Sequence, residues 1–315
     1  MFRVGLRKRC SLEVPLVISV GNVAVGGTGK TPMVDYIVRS LLNLSLTPAV
    51  LTRGYGNDEH ICLQKKFPEV SIGVGSNRVA SFRNINVAVD AVVLDDGLQH
   101  FSLERDVDIL MINAVTGVDG SYGNLLPLGA LRESYSDGLE RANIVVLHHS
   151  NLVSDHTTAS LERYLRSVSN ADFSLFHSYL EPISLESVEI QSTSGKTGFS
   201  DFLNRVERNQ TLGVFCGIGD SSQFFMSMEN LVRNQLGLTD VALKLFEYGD
   251  HHVFSNNDMR ALLQQECSIF ITTQKDYQRT PVCIRRWLHG RCFIVDSELR
   301  VHDEPAFTRA ILKKK

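Results

Sequence analysis

The sequence predicts a doubly wound α/β fold with a mainly parallel sheet, joined to a second, smaller α/β domain. Three features carry that prediction. An apolar run at Leu16, Val17, Ile18 and Val20 passes through a glycine-rich loop to Pro32, a residue favoured in the first turn of a helix. Short apolar runs of the kind buried in parallel sheets recur at 49–51, 87–94, 109–112 and 144–147, with helical spacing between them. The third run ends in adjacent carboxylates, Asp95 and Asp96, and folds of this class bind ligands at the carboxyl ends of their strands.

Within the segment 32–44, Met33, Ile37, Val38, Leu41 and Leu42 share one helical face, so this helix is expected to pack on the sheet. The pattern weakens between 150 and 210, where the polar stretch 191–198 reads as a connection. A second series follows at 212–216, 241–246, 269–272 and 292–295, with a helical stretch at 224–236. The expected division is therefore a first domain over 1–190 and a smaller one over 191–315.

A chain of 315 residues is long enough for two domains. Its 43% hydrophobic and 21% charged residues describe a folded globular chain rather than a disordered one. A net charge of −3 gives no reason to expect nucleic acid as a partner, and nothing points to a protein partner. The six cysteines are scattered without paired spacing, so they read as reduced thiols. No apolar run reaches the length of a membrane span. Arg3, Arg7, Lys8 and Arg9 precede the first acid, Glu13, giving a basic segment that fits anionic headgroups or the end of an organellar address, or equally a solvated terminus.

The loop closes in Gly29-Lys30-Thr31, the second half of a P-loop, where backbone N–H groups surround phosphates at a helix N-terminus. Ala24 stands where the full pattern has its first glycine, while Gly26 and Gly27 keep the backbone open to phosphate. The nucleotide cradle is accordingly Ala24, Val25, Gly26, Gly27, Thr28, Gly29, Lys30 and Thr31. Lys30 is expected to reach the β- and γ-phosphates of ATP and Thr31 to bind Mg²⁺. In such enzymes the carboxylates at a neighbouring strand end, here Asp95 and Asp96, also hold Mg²⁺. Gln99 and His100 continue that turn. Arg53 follows the second run and can stabilise transferring charge, and the nearby Asp58 can accept a hydroxyl proton; taken alone, both are equally ordinary loop residues. Asp250-His251-His252 offers an acid–base histidine or a metal ligand, the latter disfavoured because adjacent side chains of an extended segment point apart. Gly195-Lys196-Thr197 lacks a preceding apolar strand and is set aside.

Together, VPLVISVGNVAVGGTGKTPMV, LTRGYG, DDGLQHFSLERDVDIL, YGNLLPLGALRE, CGIGD, YGDHHVF and TTQKDY resemble the tetraacyldisaccharide 4′-kinase family, in order, from Val14 to Tyr277. The match is similar to the plant form. The resemblance implies a P-loop NTPase-like fold and transfer of the ATP γ-phosphate to the 4′-hydroxyl of an acylated glucosamine disaccharide, with Mg²⁺. It places Lys30, Thr31, Asp95, Asp96 and Gln99 at Mg–ATP and makes Asp58 the base, paired with His251; such a pair would span the two domains and require their closure. It also implies peripheral membrane contact, mitochondrial for a plant-type chain and on the cytoplasmic face of the inner membrane for a bacterial one. Two positions depart from the family pattern, Asn57 for a glycine and His60 for a proline. Family members begin with an apolar helix, whereas fourteen residues precede Pro15 here; either the sequence starts late, or membrane association relies on the basic cluster and other surface features.

Three rivals read differently. Partitioning-type ATPases place a lysine where Val25 stands, and GTPases carry an N-K-x-D order that 272–276 does not supply. A non-catalytic, regulatory ATP-binding protein would bind nucleotide and phosphorylate no sugar.

Overall fold

The computed structural model describes residues 9–54, 59–117, 124–189 and 198–313. Its first strand, β1 (Leu16–Gly21), is buried along its whole length, as an unbroken apolar run requires of a strand covered on both faces. The chain continues through α1 (Lys30–Asn43), β2 (Pro48–Thr52), α2 (Glu59–Lys66), β3 (Ser71–Val74), α3 (Arg78–Arg83) and β4 (Ala91–Asp95). It then forms β5 (Val107–Asn113), α4 (Tyr135–Leu139), β6 (Ile144–His148), α5 (Asp155–Val168) and β7 (Ser174–Ser187). The later elements are α6 (Ser200–Arg205), β8 (Thr211–Cys216), α7 (Ser221–Asn230), β9 (Ala242–Glu247), α8 (Asn256–Leu263), β10 (Ile269–Thr273), α9 (Gln274–Arg279), α10 (Pro281–Leu288), β11 (Cys292–Val301) and α11 (Glu304–Leu312).

The chain divides into two compact units, Met1–Tyr179 with Leu299–Lys315, and Leu180–Glu298. This differs from a division at 190/191: the chain leaves the first unit within β7 and returns to it within β11, giving the last residues to the first unit. In the first unit the strand order is β3-β2-β4-β1-β5-β6-β7, with parallel neighbours throughout. Order reverses at β1, which lies between β4 and β5, so the carboxyl edge beside β1 is where ligands of such sheets bind. In the second unit the order is β11-β10-β8-β9, again parallel. Alternate residues of β10 face opposite layers, Ile269 and Ile271 packing with Phe202 and Phe293, Phe270 with Phe254 and Ile284. Both faces of this sheet are therefore covered.

Three local expectations are corrected. The run 87–94 becomes a strand only from Ala91, because Val87 is exposed and Asp90 instead accepts a hydrogen bond from the Thr47 amide. The segment 150–210, where the pattern weakens, nonetheless holds α5, capped by Ser154, and the fourteen-residue β7. The helix expected at 224–236 starts earlier, at Ser221, and ends in a π-helical turn over Leu231–Gln235. All six cysteines are free thiols. No described helix is long and apolar enough to cross a membrane. The expected connection at 191–197, including Gly195, Lys196 and Thr197, lies outside the described residues.

One buried ion pair ties the sheet to the edge that matters. Arg105 Nε lies 2.9 Å from an Asp108 oxygen, and Arg105 Nη1 also donates to the carbonyls of Gly97 (3.1 Å) and His100 (2.8 Å). That fastens the turn after β4 to the start of β5. Asp108→Ala would leave a buried guanidinium without its counter-ion, so unfolding in urea is expected to show a loss of about 3–5 kcal/mol.

Candidate active site at the phosphate loop

Between β1 and α1 the backbone is held from several strand ends. Asn22 Nδ2 donates to Thr28 Oγ1 (2.7 Å), and Asn113 Nδ2, at the end of β5, donates to the Gly27 carbonyl (3.0 Å). The Val25 amide donates to the Ala130 carbonyl at 2.8 Å. Gln99 Nε2 donates both to the Asn22 carbonyl (2.7 Å) and to Glu133 (2.9 Å), and Glu133 also pairs with Arg141 at 2.6 Å. Gly26 and Gly29 have φ of 112° and 79°, conformations that suit glycine. Gly29 caps α1 without a side-chain hydrogen bond, and the first turn holds no acid. The N–H groups and positive dipole end of α1 are thus left to an anion.

Charged groups gather at the same edge. Lys30 Nζ lies 3.6 Å from Asp96, which Arg132 also pairs at 3.1 Å. Asp96 itself has φ 51°, which an aspartate tolerates better than most residues. Thr31, Thr52, His60 and Asp95 line one small cavity, across which Thr52 Oγ1 donates to Asp95 Oδ2 at 3.4 Å. Beneath it the buried Arg78 donates to the backbone carbonyls of Gly75 and Asp95. Burial pushes the Arg78 pKa down; Asp95 and Asp96 oppose that, and the neighbouring Arg53 charge adds to it.

At the end of β6, His148 lies under the loop. A Cβ on Gly29 would fall 2.3 Å from its Cδ2 and 2.6 Å from its Nε2. Its Nδ1 pairs with Ser178 Oγ at 2.9 Å, and its ring centroid is 4.1 Å from that of His149. Burial holds both imidazoles in the neutral form, pushing His149 down to about 4 and His148 well below the ordinary value of 6.5.

The second unit brings its own motifs together. The buried Asp276 accepts hydrogen bonds from the Gly217 amide (3.0 Å) and from Thr273 Oγ1 (2.6 Å), and pairs with Arg279 at 3.4 Å. Burial raises its carboxyl pKa, and those hydrogen bonds oppose the rise. Arg279 Nη2 reaches His251 Nδ1 at 3.3 Å. His252 instead pairs with Asp258 at 3.1 Å and stacks on Tyr248, leaving His251 as the exposed member of the pair.

The sequence-predicted residues from Ala24 to Thr31, with Asp95, Asp96 and Gln99, therefore share one edge of the first unit. Arg53 follows β2 there with its side chain exposed. His251 belongs to the second unit. Asp58 lies outside the described residues, as do Arg3, Arg7 and Lys8. Asn113, His148, Arg132 and Glu133 were not singled out as site residues; the last two stand inside a quoted motif, and the first two only end apolar runs.

Fold and site together define a P-loop kinase. The family model for LpxK, tetraacyldisaccharide-1-P 4′-kinase, matches residues 1–315, and the chain belongs to that family. A probable mitochondrial tetraacyldisaccharide 4′-kinase of Arabidopsis thaliana is 31% identical, with 96% of this chain and 81% of the relative covered. A tetraacyldisaccharide 4′-kinase of Syntrophus aciditrophicus is 29% identical, covering 96% and 85%. The crystal structure of LpxK from Aquifex aeolicus in complex with ATP superposes with a TM-score of 0.64 at 25% identity, over 98% of this chain and 90% of the other.

The neutral histidine pair fixes a pH dependence. The unfolded chain takes up a proton on His149 near 6.5, the folded one only near 4, so stability present above 6.5 is lost as pH falls through that window. That one group accounts for up to about 3 kcal/mol. Urea midpoints measured between pH 7 and 4 should fall less steeply for His149→Asn, because asparagine tolerates the φ of 61° that His149 adopts and does not titrate.

Proposed function

We propose that this chain transfers the γ-phosphate of ATP to the 4′-hydroxyl of a tetraacylated glucosamine disaccharide 1-phosphate, giving lipid IVA in lipid A biosynthesis. The family match over the whole chain, joined to a phosphate loop whose Lys30 faces Asp96, carries this reading. The loop amides and the N-terminus of α1 would bind the phosphates, and Lys30 would exchange Asp96 for the β- and γ-phosphate oxygens. Arg132 and Arg53 are the cations proposed to meet charge spreading over the transferred group. Asp58 is the proposed base. A carboxylate with an ordinary pKa of about 4 does not ionise a sugar hydroxyl in advance, but it can accept the proton late in a loose transfer. His251 is the second proton-handling group of this reading.

Mg²⁺ fits the residues present. Thr31 and Asp95 line one cavity with oxygen donors, the chemistry a hard cation takes, and one or two carboxylates with substrate phosphates are what Mg²⁺ ordinarily uses. Thr31, Asp95 and Asp96 would hold it, where it would neutralise phosphate charge.

Peripheral membrane contact belongs to the same proposal. Leu125, Leu126 and Leu128 are exposed, the last at 86%, and Val25 of the phosphate loop is exposed beside the segment that carries them. Acyl chains and a bilayer surface are what such a lip would meet. The name of the Arabidopsis relative supports a mitochondrial address.

The direct assay incubates protein, Mg–ATP and the tetraacyldisaccharide 1-phosphate and looks for the bisphosphate. Asp58→Ala is expected to lower kcat by at least about 10²-fold with ATP affinity retained, and an unchanged rate rejects it as base. ATP binding with no phosphorylated sugar would instead support the regulatory reading. For the lip, Leu128→Asp is expected to reduce sedimentation with anionic vesicles; equal sedimentation of variant and wild type removes this contact from the proposal.

A further inference from the structure

Among the described residues around the loop, His148 Nε2 is a buried ring nitrogen whose polar capacity has no evident use. Two other strand-end or loop side chains, Asn113 and Asn22, each hold the loop through a hydrogen bond, at Gly27 and Thr28. His148 occupies the equivalent place under the next residue, Gly29, with its ring against the glycine. Its Nδ1 is engaged by Ser178. Its Nε2 is buried and has no hydrogen-bond partner among the described residues. Native proteins rarely leave such a group unpaired, because an unmet buried donor or acceptor carries its full desolvation cost.

The chemistry of the pair narrows what Nε2 offers. Ser178 can donate its hydroxyl to Nδ1, and in that tautomer the proton of the neutral ring sits on Nε2, a donor beside the loop. When phosphates enter a P-loop, its amides turn to the anion on one side, and the carbonyls of the same peptides turn to the other. His148 packs directly against the Gly29 backbone.

We propose that His148 is a positioning residue for ATP: when phosphates are bound, its Nε2–H gains a loop carbonyl next to Gly29, whose own carbonyl already accepts the Met33 amide, and this favours the nucleotide-holding arrangement over the empty one. The neutrality that burial imposes on the ring is consistent with this, since an imidazolium under the loop would also draw phosphate away from Lys30. The role depends on the phosphate loop alone and is independent of which sugar hydroxyl accepts the phosphate.

Three substitutions separate the hydrogen bond from simple packing. His148→Phe keeps the ring shape and loses both nitrogens. His148→Asn places its amide near Nδ1, and His148→Gln places its amide near Nε2. Titration calorimetry with ATP should show Phe and Asn weakened roughly tenfold, the size of one net hydrogen bond, with Gln restored toward wild type and the loss falling on KM for ATP rather than kcat. A Phe variant that binds as tightly as wild type, or a Gln variant as weak as Phe, overturns the proposal. Long-range ¹H–¹⁵N spectra of the wild-type protein provide a check that needs no variant: the His148 Nε2 resonance is expected to shift on saturation with ATP, and an unmoved resonance overturns the proposal as well.

Discussion

The structure depends on parallel pairing at β1. Val20 pairs with Asp95 of β4, Gly21 with Leu110 of β5, and Asn113 of β5 with His148 of β6. Because every pair is parallel, all of these strands finish on the same edge, and residues far apart in sequence arrive beside one loop. The side-chain period of a strand is two, so a one-residue slip of β4 would turn the Asp95 side chain to the opposite face and remove it from Thr31 and Thr52. The apolar residues of these strands, Ile18, Val93 and Ile109 among them, are fully buried and specify the register that the polar ends require.

Holding the loop before ATP arrives has a cost in chain entropy and in buried polar groups. Asn22, Thr28 and Asn113 are buried, and each takes part in a specific hydrogen bond that compensates its desolvation. The result is a loop held in place at several points, so less conformational freedom is left to lose on binding. The glycines make this possible in different ways. Gly26 and Gly29 take positive φ, while Gly21 lies so near Leu98 that a Cβ would approach its side chain to 2.4 Å.

Much of this was legible in the residues. Continuous apolar runs reported β1, β5, β6, β8 and β10 because those strands are covered on both faces. β3 escaped notice because it is an edge strand of four residues with a half-exposed face, and β7 because most of its positions are only partly buried, so it presents no continuous apolar run. The loop and its acids announced themselves by spacing. His148 did not, since a histidine ending an apolar strand looks the same whether it faces solvent or lies under a glycine 119 residues earlier; only strand order decides. Asp276 is the converse, a motif aspartate that three-dimensional packing turns into a buried anchor for the Gly217 and Arg279 segments.

The charge arrangement explains how the site can be both stable when empty and ready to bind. Lys30 and Arg132 share Asp96, and all three side chains retain some solvent contact. Partly exposed pairs of this kind contribute little to stability, so breaking the Lys30 contact costs little. In the proposed reaction a phosphate oxygen would then replace a carboxylate oxygen, and Lys30 would keep a partner throughout the exchange. Asp96 is left with Arg132, which prevents its release from becoming an unpaired charge. Arg78, by contrast, is buried and tied to two backbone carbonyls, so it supplies a fixed positive field below Asp95 that does not move with the ligand. The two cations thus differ in setting: Lys30 sits in a partly exposed pair, and Arg78 is fixed by the backbone.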